Sequence, residues 1–183
     1  MLTLPQLYAM MPSYRYFHNH SKGEIAMENT IMAFAYEKRH ESAFSILGFT
    51  KFVKSGGELY DEVRSDGRWE RLKEMAGADK HIYCSASDDK DCPRGFYRYT
   101  IGIRDNETHD GEELFPIHIK ESDWIVFKID FDKDYCNFWS KDPYKMIGEL
   151  GYQFQNDVGL HLDVYDEHYT RQEMEFWMPV CEK

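Results

Sequence analysis

The chain has 183 residues and a formal net charge of −11, from 33 acidic and 22 basic side chains. This length corresponds to one ordinary domain, and a composition of 42% apolar and 30% charged residues is typical of globular proteins, not of disordered or membrane-embedded ones. So large an acidic excess disfavours contact with nucleic-acid phosphates, and we expect no direct nucleic-acid binding by this chain. Aromatic residues reach 16%, which suits either a large core or a pocket for flat ligands.

Cysteine spacing and apolar runs indicate in which cellular compartment the protein is expected. The four cysteines form no CxxC pair, so we expect reduced thiols and no zinc site (Cys84, Cys92, Cys136 and Cys181). No secretory leader is recognisable, and no apolar run approaches the ~20 residues that a membrane span needs. The sequence therefore predicts a cytoplasmic protein that makes no membrane contact.

The predicted elements divide the chain into an extension and a domain. Residues 1–35 are expected to be helical or irregular, and residues 36–183 to form the domain. The domain elements, in chain order, are a strand over Phe44–Phe52 that contains Gly48, a helix over Glu58–Met75 that Gly67 bends and Gly77 ends, strands at His81–Ala86 and Phe96–Arg104, a hairpin of Leu114–Ile119 and Trp124–Phe131, a helix over Asn137–Leu150, and strands at Gly159–Tyr165 and Glu173–Val180.

The order of these elements predicts the fold class. A strand, a helix and two further strands occur twice, so we expect an α+β fold built from two similar halves. Two helices among many short strands exclude a doubly wound parallel sheet. An antiparallel sheet with the helices on one side is the expected packing.

Common catalytic and metal-binding motifs are absent from the sequence. There is no GxGxxG, GxxxxGK[ST], HExxH or GxSxG motif, which removes dinucleotide-binding folds, P-loop enzymes and the common hydrolases as leading hypotheses. Histidines at His18, His20, His161 and His168 lack further ligands at metal-binding spacing, so they are interpreted as scattered side chains. We expect no metal and no cofactor.

The last predicted strand carries a carboxylate beside a tryptophan. Strand alternation puts Glu175 and Trp177 on one face, and Met174, Phe176 and Met178 on the other. A carboxylate among aromatic rings either meets a cationic ligand or has a raised pKa that suits acid–base chemistry. A solvated carboxylate on an outer sheet face is the alternative interpretation.

Several segments together resemble the GyrI-like small-molecule-binding domains, which are the effector-binding domains of AraC-type and MerR-type bacterial transcription regulators. The resemblance covers about residues 36–183. It rests on Ala43–Gly48, Trp69-x2-Leu72, Tyr99–Ile103, Asp123–Phe127, Trp139-x11-Gly151-Tyr152, Leu162–Tyr165 and Glu175–Val180. Two departures are visible: Met146–Leu150 stands where the family often has Trp-Leu-Pro, and the acidic residue of the sixth strand, usually Glu, is Asp163.

The resemblance implies a fold, a site and a function. The fold is a pseudo-two-fold pair of strand–helix–strand–strand modules with an antiparallel sheet and a central ligand groove. In the family a last-strand glutamate lies at the floor of the groove and aromatic rings surround it. The corresponding ligand-binding residues here are Glu175, Trp177, Tyr99, Tyr97, Trp124 and Tyr165. The implied ligand is a small amphipathic, cationic aromatic compound.

Three functions remain open from the sequence. The first is a ligand sensor, either within a transcription regulator or as a stand-alone binder, with a homodimer as one possible assembly. The second is hydrolysis of cyclopropanoid-type electrophiles, with Glu175 as the catalytic base, because some stand-alone family members are such hydrolases. The third is an acidic protein-interaction module similar to the gyrase-binding relatives.

Overall fold

A computed structural model describes residues 34–77, 79, 81–87, 91–105, 113–166 and 174–183. The expected extension over residues 1–35 lies outside this part except for its last two residues. The strands are β1 (Ala35–Glu41), β2 (Phe44–Val53), β3 (Ile82–Ser87), β4 (Tyr97–Arg104), β5 (Phe115–Ile119), β6 (Ser122–Ile129), β7 (Tyr152–Phe154), β8 (Leu160–Tyr165) and β9 (Met174–Glu182). The helices are α1 (Gly56–Ser65), α2 (Arg68–Met75), α3 (Phe131–Ser140) and α4 (Pro143–Glu149).

The strands form one antiparallel sheet in the order β1-β6-β9-β8-β3-β4-β2-β5, with β7 paired to β9. One module consists of β2, the α1/α2 pair, β3 and β4, and the other of β6, the α3/α4 pair, β8 and β9. The modules meet where β3 pairs with β8. This arrangement confirms the α+β fold and the pseudo-two-fold pair of modules.

The predicted hairpin of β5 and β6 is wrong, although both strands exist. β5 pairs with β2 at one end of the sheet, whereas β6 pairs with β1 and β9 near the other end. Only Lys120 and Glu121 separate the two strands. The sheet must therefore curl until its ends approach each other, and Ile119 and Trp124 enter the same buried cluster.

Each predicted long helix is a pair of shorter helices. The first breaks at Gly67, whose φ of 90° lies in the left-handed region that favours glycine. The second begins earlier than predicted, at Phe131, because the Asp130 side chain accepts hydrogen bonds from the first amides of α3. It breaks at Asp142, and Pro143 then occupies the first turn of α4, where a missing N–H costs nothing.

The curled sheet has two different faces. The helix-covered face packs against α1–α4 and contains alternate residues such as Phe49, Ile101 and Phe176. The concave face encloses a second cluster: Phe44, Ile46, Tyr83, Ile119, Trp124, Val126, Leu160, Leu162, Val164 and Trp177. An ion pair links β1 to β4, which are not neighbours in the sheet: Arg104 Nη1 lies 2.8 Å from Glu41 Oε2.

A glycine within a strand indicates either a bulge or a close backbone approach, and Gly48 lies at a close approach. It is paired with Gly102 across β2 and β4. A Cβ atom at Gly48 would lie 2.4 Å from the Ile101 carbonyl oxygen, so only glycine fits this part of the sheet. None of the helices in the described part of the chain is long and apolar enough to cross a membrane.

Candidate functional site

The six sequence-predicted ligand-binding residues lie on opposite faces of the sheet. Glu175, Trp177 and Trp124 belong to the concave face. Tyr97, Tyr99 and Tyr165 belong to the helix-covered face. Neighbouring antiparallel strands keep their faces aligned, so the six side chains do not line one groove.

Glu175 already has donors within the protein. Arg39 Nη1 and Nη2 donate to its two carboxylate oxygens at 3.1 and 3.2 Å, and Trp177 Nε1 donates to Oε2 at 2.8 Å. The Arg39 guanidinium also bonds to Glu37 and lies 4.6 Å from the centre of the Trp177 ring. An internal cation therefore occupies the carboxylate-and-tryptophan arrangement that the sequence suggested for a ligand.

A cleft of about 480 Å³ lies beside Glu175. Its lining carries both charge signs around an apolar floor: His81, Lys128, Ile129, Asp130, Val164, Asp166, Met174 and Glu175. His81 Nδ1 lies 3.1 Å from Asp79 Oδ1, and this bond raises the pKa of the imidazole. The lining has three carboxylates against Lys128 and His81, and one of these carboxylates, Glu175, is already paired with Arg39.

Asp163 on β8 is the unusual group of the helix-covered face. Its side chain is only 8% exposed, and its Oδ1 atom has no hydrogen-bond partner among the described residues. Burial raises the pKa of this carboxyl to about 7. Asp163 lies opposite Cys84 in the pairing of β8 with β3, where the two modules meet.

Tyrosines surround Asp163 from several elements. Burial first, and then the charge of Asp163, raises the pKa of Tyr135 on α3. The pKa of Tyr99 is also raised, by burial and by neighbours that include Cys84 and Asp163, and the pKa of Tyr97 reaches about 12, chiefly through burial. Tyr165 follows two positions along β8 on the same face. Asp163 therefore shares the helix-covered face with several phenols, and its charge acts on Tyr97, Tyr99 and Tyr135.

Two aromatic side chains of α3 join this region without having been predicted. The Tyr135 and Trp139 rings meet edge to face at 6.1 Å, and Trp139 packs 5.2 Å from Phe176 on β9. Tyr135 was not predicted as a site residue, because the predicted helix began only at Asn137. Asp163, the acidic residue of the sixth strand, is the sequence signal that could have led to this site, but it was noted only as a departure from the family pattern.

The middle of the sheet lies between the α1/α2 pair and the α3/α4 pair. The α1/α2 pair packs mainly on β2 and β4, whereas α3 packs on β6 and α4 on β7. Gly56, the first residue of α1, rests against the Tyr99 ring, and a Cβ atom there would lie 2.9 Å from Tyr99 Cζ. Asp163 thus lies on a central strand between two helix pairs.

His161, which lies two positions before Asp163 on the same face of β8, carries no charge near neutral pH. Burial lowers the pKa of its imidazole to about 3, and its ring packs 4.8 Å from Phe176. Within the described ranges no three His, Cys, Asp or Glu side chains are grouped to hold a metal ion. His18, His20 and His168 lie outside the described residues.

Comparisons with solved structures find the same fold. SAV2435, solved with bound tetraphenylphosphonium, aligns with a TM-score of 0.64 at 15% identity over 80% of this chain and 94% of that one. A putative transcription regulation protein from Staphylococcus aureus MU50 gives 0.59 at 15% identity, over 80% of this chain and 97% of the other. The C-terminal domain of EcmrR gives 0.57 at 8% identity, over 83% of this chain and all of that domain.

Sequence comparison adds no closer relative. The chain matches no family model and no curated protein. The solved structures agree with the module arrangement described above, and their identities are low enough that they speak for the fold alone. The chain has the fold of the GyrI-like effector-binding domains.

Proposed function

We propose that this domain binds a small amphipathic organic cation between its two helix pairs, with Asp163 as the counter-charge. The observation that carries the proposal is the buried Asp163 carboxylate, which lies among tyrosines and whose Oδ1 atom has no hydrogen-bond partner in the described part of the chain. Burying such a group is costly unless it is neutralised, by a proton or by a bound cation. A ligand cation would replace the proton.

The aromatic walls suit the same ligand. Tyr97, Tyr99, Tyr135 and Tyr165 supply aromatic rings on the face of the sheet that carries Asp163. A cation over a tyrosine ring gains about 0.5–2 kcal/mol, more when water is excluded. Asp163 is 8% exposed and Tyr99 9%, so entry of a ligand requires these side chains or the helix pairs to move apart.

The structural neighbours support the chemistry and suggest the biological role. SAV2435 was solved with tetraphenylphosphonium, a lipophilic cation, and the Staphylococcus aureus MU50 protein of the same fold is described as a transcription regulation protein. We therefore propose a role as the ligand-sensing domain of a transcription regulator, or as a stand-alone binder. The strongly acidic chain would take no direct part in DNA contact.

Glu175 is the less suitable counter-charge for this ligand. Its carboxylate is paired with Arg39 and bonded to Trp177, so a ligand cation would have to compete with an internal guanidinium. The proposal therefore transfers the ligand's anionic partner from Glu175 to Asp163, and keeps Tyr97, Tyr99 and Tyr165 of the residues expected from the sequence.

Calorimetric titration with tetraphenylphosphonium tests the proposal on the wild type, Asp163→Asn and Glu175→Gln. At about pH 8 Asp163 is ionised, and removing one partner of a buried charge pair costs several kcal/mol, so Asp163→Asn should weaken binding at least tenfold. Glu175→Gln should change the affinity less than about threefold. Loss of binding in Glu175→Gln with Asp163→Asn unaffected would reverse the assignment.

A hydrolase is the second candidate, and one observation favours it. A carboxyl with a pKa of about 7 is close to the optimum for a general base near neutral pH. Asp163 could then activate water against an electrophile held by the tyrosines. Product analysis after incubation with a cyclopropane-bearing alkylating agent distinguishes the two functions, since a binder returns the compound unchanged and a hydrolase opens its ring.

A further inference from the structure

The carboxylates of Glu175 and Asp163, on opposite faces of the sheet, differ in their hydrogen-bond donors. Glu175 receives two bonds from Arg39 and one from Trp177. Asp163 is the more deeply buried, yet its Oδ1 atom receives no bond from the described residues. The concave face therefore satisfies its carboxylate internally, and the helix-covered face leaves an acceptor open.

The groups that face Asp163 do not replace the missing donor. They are Cys84 from β3, Tyr97 and Tyr99 from β4, Tyr135 from α3, and His161 and Tyr165 from β8 itself. His161 is neutral near pH 7, because burial depresses its pKa. Burial is the cause of the raised pKa of Asp163, and none of these six neighbouring side chains is a lysine or an arginine.

We infer that the site prefers protonated amines, which carry at least one N–H on the charged nitrogen, over quaternary cations of the same shape. This inference rests on the proposed function. An ammonium N–H supplies both the charge and the hydrogen bond that Asp163 lacks, whereas a quaternary nitrogen supplies only the charge. The tyrosine rings attract both kinds of cation alike and do not discriminate between them.

The preference has a measurable size. A hydrogen bond to a charged group contributes enough to change an affinity about tenfold or more, after exchange with water is counted. Two probes isolate this contribution: dimethyl(naphthylmethyl)amine and trimethyl(naphthylmethyl)ammonium. They share the same ring and the same charge at about pH 8, and they differ by one N–H against one N–CH₃.

Calorimetry with both probes is carried out on the wild type, Asp163→Leu and Asp61→Asn. Leucine removes the acceptor without leaving a polar group, and it relieves a buried charge, so the variant is expected to fold. Asp61 is an exposed aspartate of α1 and serves as the matched control. Circular dichroism of each variant verifies the fold before titration.

The expected result is at least about tenfold tighter binding of the protonated amine to the wild type and to Asp61→Asn, with a difference below about twofold in Asp163→Leu. Equal affinity of the two probes for the wild type overturns the inference and leaves the proposed function standing. A preference that persists in Asp163→Leu also overturns it. If neither probe nor tetraphenylphosphonium binds, the proposed function itself fails.

Discussion

Replacing Asp163 by asparagine should raise the free energy of unfolding relative to that of the wild type, and this gain should be larger at high pH than at low pH. Burial raises the pKa of the Asp163 carboxyl from 3.8 to about 7. The folded state therefore holds this proton more tightly than the unfolded state does. As pH rises through the interval between the two values, the unfolded chain loses the proton first, and the folded wild type loses stability.

The size of the effect follows from the shift. About three pKa units at 1.36 kcal/mol each give about 4 kcal/mol, accumulated between about pH 4 and pH 7 and constant above that. Asparagine cannot ionise, so the variant lacks this loss. The free energy of unfolding of Asp163→Asn, minus that of the wild type, should thus rise by about 4 kcal/mol from pH 4 to pH 8.

Urea denaturation followed by tryptophan fluorescence at each pH measures the difference. His161 affects stability in the opposite direction, because its pKa is lowered to about 3 and protonation of the unfolded chain below about pH 6.5 favours unfolding. It is present in both proteins, so its contribution cancels in the difference. A difference that stays within about 1 kcal/mol from pH 4 to pH 8 would refute the burial of an unpaired Asp163 carboxylate.

Two further substitutions probe the opposite faces of the sheet. Gly56→Ala drives a methyl group into the Tyr99 ring, so it should lower the free energy of unfolding by about 1–3 kcal/mol in urea denaturation and weaken tetraphenylphosphonium binding. Gly57→Ala is the control, because its added Cβ meets only Ser55 Oγ at 3.5 Å. Equal effects of the two substitutions would argue against the Tyr99 contact. Arg39→Ala removes two of the donors to Glu175, so it should lower the free energy of unfolding by about 1–3 kcal/mol and leave the ligand affinity unchanged. A large loss of affinity would instead favour the concave face as the ligand site.

Most of the strands and the module order could be predicted from the sequence because local patterns determine them. Alternation within β4 and β9 appears as expected, and the glycine pair at Gly48 and Gly102 lies at a close approach of β2 and β4. β1 could not be found in this way, because Ala35–Glu41 alternates among charged side chains and has no apolar face. It is held by pairing with β6 and by ion pairs such as that between Arg39 and Glu175.

The pairing of β5 and β6 was predicted wrongly because nearness in sequence does not decide which strands join. Two residues between strands are enough for a hairpin. They also suffice here to connect the two ends of a curled sheet. The pairings of β5 with β2 and of β6 with β9 join segments far apart in sequence, and these pairings decide the outcome.

The six predicted site residues lie on two faces of the sheet for a similar reason: local sequence does not determine how distant strands align. Alternation fixes which residues share a face within one strand, so Glu175 and Trp177 fall together, as do Tyr97 and Tyr99. It does not fix how two distant strands align, because a register shift of one residue moves a whole strand's side chains to the other face. The register of β9 with β8, β8 with β3, and β3 with β4 puts Tyr99 on the face opposite Glu175.

The crystal structure of this protein with bound tetraphenylphosphonium tests the central claim most directly. The account predicts that the phosphonium lies between the α1/α2 and α3/α4 pairs, next to the Asp163 carboxylate and in contact with Tyr99 and Tyr135. A ligand found in the cleft beside Glu175, with Arg39 displaced from its carboxylate, would contradict the assignment of the helix-covered face.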